Sequence, residues 1–191
     1  MEIRQTTIFR DWLENLKDER ARTRIAQRIV RLQAGLFGDA KFFQGIGELR
    51  IDQGPGYRVY FVQRGNVLII LLCGGDKNTQ SRISGGQNQW RTIWRRMMAI
   101  ETLPFDAAQY LDTPEAHAEL LSDAFESGDT AYIAAALGVV ARAKGMTQVA
   151  KDAGVTREAL YKALSAEGDP KLSTLLGVAK ALGLNLVVTA A

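Results

Sequence analysis

The spacing of apolar residues changes twice along the chain, from every third or fourth position to every second and back again, so a helical stretch, a strand-rich stretch and a second helical stretch must follow one another. Residues 7–36 predict two helices. In the second of them Ala21, Ile25, Ile29, Leu32 and Leu36 form one stripe, with Arg20, Arg22, Arg24, Arg28 and Arg31 mostly off it. That basic face suits either plain solvation or the phosphates of RNA. Phe37 to Gly47 has the composition of a loop. Three strands are then expected. Glu48 to Asp52 alternates, Gln53-Gly-Pro-Gly56 turns, Tyr57 to Val62 alternates again, Arg64-Gly-Asn66 turns, and Val67 to Cys73 is apolar throughout. The expected result is an antiparallel meander with two helices ahead of it.

Alternation also sorts the side chains by face. Leu49, Ile51, Tyr57, Val59 and Phe61 belong to the core, which leaves Glu48, Arg50, Asp52, Arg58 and Tyr60 together on the opposite face. A turn at Gly74-Gly-Asp-Lys77 would bring Lys77 to the edge of that patch.

From Ser84 to Met98 the chain reads as a linker, Gly-rich at first and then carrying Trp90, Ile93, Trp94 and Met97 at helical spacing. Beyond it the pattern is helical. Thr113-Pro114 and Asp129 are N-cap signals, Ala131 to Lys144 is one helix, and a helix from Asp169-Pro170 runs to Ala181, with Asn185 to Thr189 a short final strand. Residues 147–165 are the most specific signal. A short helix from Thr147, a turn at Gly154-Val-Thr156 and a helix from Arg157 to Leu164 have helix-turn-helix form, with Val149, Ala150, Val155, Leu160 and Leu164 inward. Thr156, Arg157, Glu158, Tyr161, Lys162 and Ser165 are left outward, residue types suited to a DNA groove, although a helical hairpin that binds only protein has the same inward pattern.

Charge separates the same two halves. Residues 1–96 hold 17 Lys and Arg against 9 Asp and Glu, a balance of +8, while residues 97–191 hold 7 against 12, a balance of −5. The first half suits a polyanion and the second could neutralise the first. One cysteine, Cys73, excludes an intrachain disulfide and a cysteine metal site, and its place in an apolar run predicts a buried thiol. No cofactor and no metal are expected. The single histidine, His117, is expected to be exposed. No apolar leader follows Met1 and no apolar run is long enough to cross a bilayer, so a cytoplasmic chain without membrane contact is expected.

Residues 113–188 carry Ala136-Leu-Gly-Val-Val-Ala-Arg-Ala-Lys-Gly-Met-Thr-Gln-Val-Ala150, Gly154-Val-Thr-Arg-Glu-Ala-Leu-Tyr-Lys-Ala-Leu-Ser165 and Leu175-Leu-Gly-Val-Ala-Lys-Ala-Leu-Gly-Leu184. They resemble HigA-type addiction-module antidote proteins of the helix-turn-helix (XRE, lambda-repressor-like) class. Residues 1–83, with Gly47-Glu-Leu-Arg-Ile51, Gly54-Pro-Gly-Tyr-Arg-Val-Tyr60 and Leu71-Leu-Cys-Gly-Gly-Asp-Lys-Asn-Thr-Gln80, are similar to HigB-like killer proteins of the RelE/ParE superfamily. In such operons the two are adjacent genes, and Met97-Met98 looks like a former translation start. The resemblance implies an α+β toxin domain over residues 1–83, a linker over 84–98 and an all-α antitoxin domain over 99–191.

It further implies a metal-independent endoribonuclease that cuts mRNA on the ribosome through the RNA's own 2′-hydroxyl. Such a reaction needs a base, a cation for the developing phosphorane charge and a proton for the leaving oxygen. Glu48 is the candidate base, Arg58 the charge stabiliser, Lys77 the acid and Arg50 a phosphate ligand, with Tyr57 or Tyr60 stacking on a base. The same residues also suit a surface ion-pair ladder across strands. The antitoxin half implies operator DNA as partner and a homodimer through that half. Where killer proteins continue into an Ala- and Lys-rich helix, this chain has Ser81-Arg-Ile-Ser-Gly-Gly-Gln-Asn-Gln-Trp90. Two functions therefore stand side by side: a ribonuclease silenced by its own antitoxin half, or a repressor carrying an inactive toxin remnant.

Overall fold

The computed structural model describes residues 1–43, 45–76, 101–165 and 168–187, and among these the chain is mixed α/β with six strands and seven α-helices. It divides into two compact units, Met1–Phe105 and Asp106–Ala191.

In the first unit β1 (Glu2–Thr6) leads directly into α1 (Thr7–Glu14), because the Thr6 hydroxyl serves both elements. It accepts the Phe9 N–H at 3.1 Å and donates to the Leu72 carbonyl at 2.6 Å. Asp18 caps α2 (Glu19–Gln33) by accepting from the Ala21 N–H at 3.0 Å. Four strands follow: β2 (Ala40–Phe43), β3 (Ile46–Ile51), β4 (Tyr57–Arg64) and β5 (Leu68–Asp76), and β6 (Thr102–Pro104) completes a sheet of order β2-β3-β4-β5-β1-β6. The predicted meander is β3-β4-β5. β1 pairs parallel with β5, and the other neighbours are antiparallel.

Phe9, Leu13, Ile25, Ile29 and Leu32 from the helices and Leu49, Val59, Phe61, Ile69 and Leu71 from the sheet are buried, as the stripe and the alternation predict. The opposite sheet face is covered too. Ile46, Tyr60, Val62, Ile70 and Leu72 form a second apolar cluster there, with Phe43, Leu68 and Cys73 packed against it.

Several expectations are corrected. Phe37 to Gly47, expected as a loop, contains β2, and residues 102–104, expected to open the second domain, pair with β1 of the first unit. The buried strand does not end at Gly74 but runs to Asp76. Gly74 is there for space, since a Cβ on it would run into the Trp12 ring; Gly47 makes room for Phe61 in the same way. Lys77 and the stretch carrying Trp90, Ile93, Trp94 and Met97 lie outside the described residues.

The second unit begins with a 3₁₀ turn (Ala107–Tyr110) and α3 (Pro114–Ser127), capped by Thr113 with Pro114 in the first turn as expected. Asp129 caps α4 (Thr130–Lys144), which is the centre of the unit: Tyr132 and every residue from Ala134 to Ala141 are buried. Tyr132 donates its hydroxyl to Asp123 at 2.6 Å, tying α3 to α4. α5 (Met146–Asp152), α6 (Arg157–Ala163) and α7 (Leu172–Ala181) follow. No strand forms over 185–187, and the rest of that expected strand is outside the described residues. His117 is buried rather than exposed, its Nε2 lying 2.7 Å from the Leu111 carbonyl oxygen. No helix among the described residues is long and apolar enough to cross a membrane.

Candidate functional site

Two surfaces collect the residues singled out in the sequence. The first lies on β3 and β4. The antiparallel register sets Glu48 opposite Tyr60 and Arg50 opposite Arg58, so all four share one face. Glu48 Oε1 accepts from Arg50 Nε at 3.0 Å and makes an ion pair with Arg58 Nε at 3.4 Å that lacks hydrogen-bond alignment. The carboxylate and the Arg58 side chain keep only 6% and 13% of their exposure, whereas Arg50 keeps 32%. Like charges in directly opposed cross-strand positions repel, and the single carboxylate between them makes the arrangement tenable.

Burial pushes the Tyr60 hydroxyl above its ordinary value, and the facing Glu48 carboxylate pushes the same way by charge and by hydrogen bonding. Tyr57 is raised as well, first by burial and then by Asp18 and Asp76. Tyr57 packs edge-on to Trp12, with ring centroids 6.4 Å apart, and Tyr60 is 1% exposed. Neither ring offers a face to a nucleobase, so the expected stacking role is corrected. Cys73 sits beside the second apolar cluster and burial pushes its thiol up to about 12, which removes it as a nucleophile near neutral pH. Glu48, Arg50 and Arg58 are thus brought together, and the fourth candidate, Lys77, is outside the described residues. Chemically the cluster is one carboxylate flanked by two guanidiniums, both on Oε1, and it can bind an anion through the more exposed Arg50.

The second surface is α6 with the turn before it. Gly154 ends α5 with φ of +70° and no side-chain neighbour, a left-handed position where glycine costs least. Thr156 then caps α6, its hydroxyl accepting the Ala159 N–H at 3.1 Å. Leu160 faces inward with Val149 and Ala150 of α5, and Leu164, just past the helix end, is buried as well. Gly138 of α4 lets that end approach, since a Cβ on it would stand 2.7 Å from the Leu164 carbonyl oxygen. Thr156, Arg157, Glu158, Tyr161, Lys162 and Ser165 are all exposed. Arg157 lies over the Tyr161 ring, 5.4 Å from its centroid. A shallow hollow beside them is also lined by Arg142, Met146 and Gln148. Neither Arg142 nor Gln148 stands out as a site residue in the sequence; the signal for Arg142 is the basic last turn of α4 beside a glycine.

Residues 101–190 match the family described as "Probable addiction module antidote protein". An uncharacterized protein of Haemophilus influenzae is 54% identical over 83 residues, 43% of this chain and 84% of that protein. A second uncharacterized protein of the same organism is 43% identical over 91 residues, 48% of this chain and 94% of its own length. Residues 101–190 of the chain belong to the addiction module antidote family. No solved structure matches it. The antidote segment so defined contains the whole second unit up to residue 190 and, ahead of it, β6 of the first unit's sheet. That match relates the chain to toxin–antitoxin systems, and the surface on α6 lies wholly within the matched segment.

Proposed function

We propose that this chain is a toxin–antitoxin module in one polypeptide, whose antidote segment binds operator DNA as an autorepressor. The observation that carries the reading is the exposed face of α6. Its polar groups stand beyond a glycine turn while its apolar residues lock onto α5, the disposition of a recognition helix whose side chains enter a major groove. Two copies related by a two-fold axis would present two such helices to a palindromic site, which also compensates for the negative balance of this half. Gel-shift titration of the full chain against its own promoter and against random DNA tests this. Preference for the promoter, lost in Arg157→Ala, is expected; equal affinity for both DNAs rejects it.

For the first unit we propose a RelE-like, HigB-related fold and metal-independent cleavage of ribosome-bound mRNA, held in check by the HigA-like segment. Arg50 and Arg58 would take the scissile phosphate and neutralise its developing charge, with Glu48 receiving the 2′-hydroxyl proton once phosphate has drawn the guanidiniums away. Lys77 keeps its proposed part as acid. The sharing of Glu48 Oε1 between two guanidiniums, together with the buried tyrosines, specifically favours the second reading, a repressor with an inactive toxin remnant. Cleavage of ribosome-bound mRNA by folded residues 1–105, abolished by Arg58→Ala, supports the first; a folded 1–105 that leaves the mRNA intact supports the second.

A further inference from the structure

The boundary of the antidote segment and the boundary of the folded unit disagree. The segment starts at residue 101, the second unit at Asp106, and the residues between them are built into the first unit's sheet. Without β6, strand β1 would be an open edge with a row of unpaired backbone groups.

The contacts of this short strand are dense for its length. Arg4 faces Pro104, Gln5 faces Leu103 and Thr6 faces Thr102 in antiparallel register, and the Phe105 N–H donates to the Ile3 carbonyl at 3.1 Å. Arg4 clamps Thr102 from the side, its Nε donating to the hydroxyl at 2.8 Å and its Nη2 to the carbonyl at 2.5 Å. The Gln5 amide donates to the Pro104 carbonyl at 3.3 Å. Phe105 then packs edge-on to Phe9, with centroids 6.2 Å apart and planes at 68°. Pro104 sits where antiparallel alternation turns the backbone nitrogen outward, so it costs no bond to β1 and leaves no donor for a further strand.

We propose that the β1 edge is the docking site by which the antidote segment grips its partner domain, with Thr102–Phe105 as the donated strand. Backbone hydrogen bonds supply the hold, as in other strand additions, and Arg4 with Phe9 sets the register. β5 and β1 lie between β6 and β4, so β6 does not pair with the strands that carry Glu48, Arg50 and Arg58. Its role here is that of a tether. Because the tether is not covalent, it should hold the two parts together across a cut backbone, as it would if they were made as separate chains. This grip requires neither DNA binding nor RNA cleavage.

The test uses the full chain with a protease recognition sequence inserted between Gly86 and Gln87. After complete cleavage under native conditions, size-exclusion chromatography should give one peak holding both fragments. The same cut in a Leu103→Pro chain, which loses the backbone N–H facing Gln5, should give two separate peaks. An Arg4→Ala chain, with its sheet hydrogen bonds intact, should dissociate at least about tenfold faster on dilution than the unsubstituted cut chain. Separation of the fragments without any substitution overturns the proposal. So does co-elution in both variants with unchanged dissociation, since another surface would then be the tether.

Discussion

Glu48→Ala separates a structural carboxylate from a catalytic one. In the fold this carboxylate is 3.0 Å from Arg50 Nε and 3.4 Å from Arg58 Nε, and the two arginines are cross-strand neighbours. Removing it leaves two facing cations without this counter-ion. Breaking a well-buried ion pair by deleting one partner costs about 3–5 kcal/mol, because the survivor stays desolvated and alone. Arg58 meets that condition; Arg50 keeps a third of its exposure, and its share falls toward the ~0–1 kcal/mol of surface pairs. A loss of about 3 kcal/mol is therefore expected for Glu48→Ala. Arg58→Ala leaves the carboxylate with Arg50 and should cost about 1–2 kcal/mol, and Arg50→Ala less than about 1 kcal/mol. The double variant Glu48→Ala/Arg58→Ala should be more stable than the sum of the singles implies, since neither charge is stranded. Urea unfolding followed by tryptophan fluorescence reads this order. A Glu48→Ala chain as stable as the parent would refute the reasoning and return Glu48 to the list of uncommitted bases.

Two further outcomes follow from particular contacts. Gly138→Val should destabilise the second unit by about 2 kcal/mol and lower its melting temperature by roughly 10 °C, because its Cβ meets the Leu164 carbonyl; an unchanged melting temperature would mean that α4 and the end of α6 do not pack as described. Stability of the first unit should fall as pH rises above about 9, since Cys73 and Tyr60 are raised in the fold while the unfolded chain ionises near the ordinary values of 9.0 and 10.0 and so binds fewer protons. Urea midpoints at pH about 8 and about 11 measure this, and equal midpoints would rule out burial as the cause of the shifts.

Local chemistry was legible in the sequence and long-range pairing was not. Alternation over Glu48 to Phe61 assigned each side chain to its face because a strand has no other way to place them. It could not tell that the outward face would also be covered, which is why Tyr60 was expected to be available. The caps Thr113 and Asp129 were legible since their oxygens act within three residues. β1 was not: Glu2 to Thr6 is mostly polar, and Gln5 and Thr6 are buried only because partners about a hundred and about sixty-six residues away accept their hydrogen bonds. Local preference makes Gly74 a turn residue, whereas its reason is a tryptophan sixty-two positions earlier.

On the DNA-binding reading, the six outward residues of the α6 region divide by what their side chains already do. The Thr156 hydroxyl accepts the Ala159 N–H, and the Ser165 hydroxyl donates to the Lys162 carbonyl at 3.0 Å, so these two hydroxyls shape the helix ends. Arg157, Glu158, Tyr161 and Lys162 are left, at spacings that put them on one stripe of the helix. Arg157 over the Tyr161 ring gives up side-chain freedom before any partner arrives, which lowers the entropy cost of fixing its planar fork against a base edge or a phosphate. Lys162 adds a cation without that directional demand, and Glu158 repels phosphate while accepting from an amino group such as that of cytosine. Sequence preference on this surface therefore belongs to Arg157, Tyr161 and Glu158, and Lys162 contributes affinity that falls with salt.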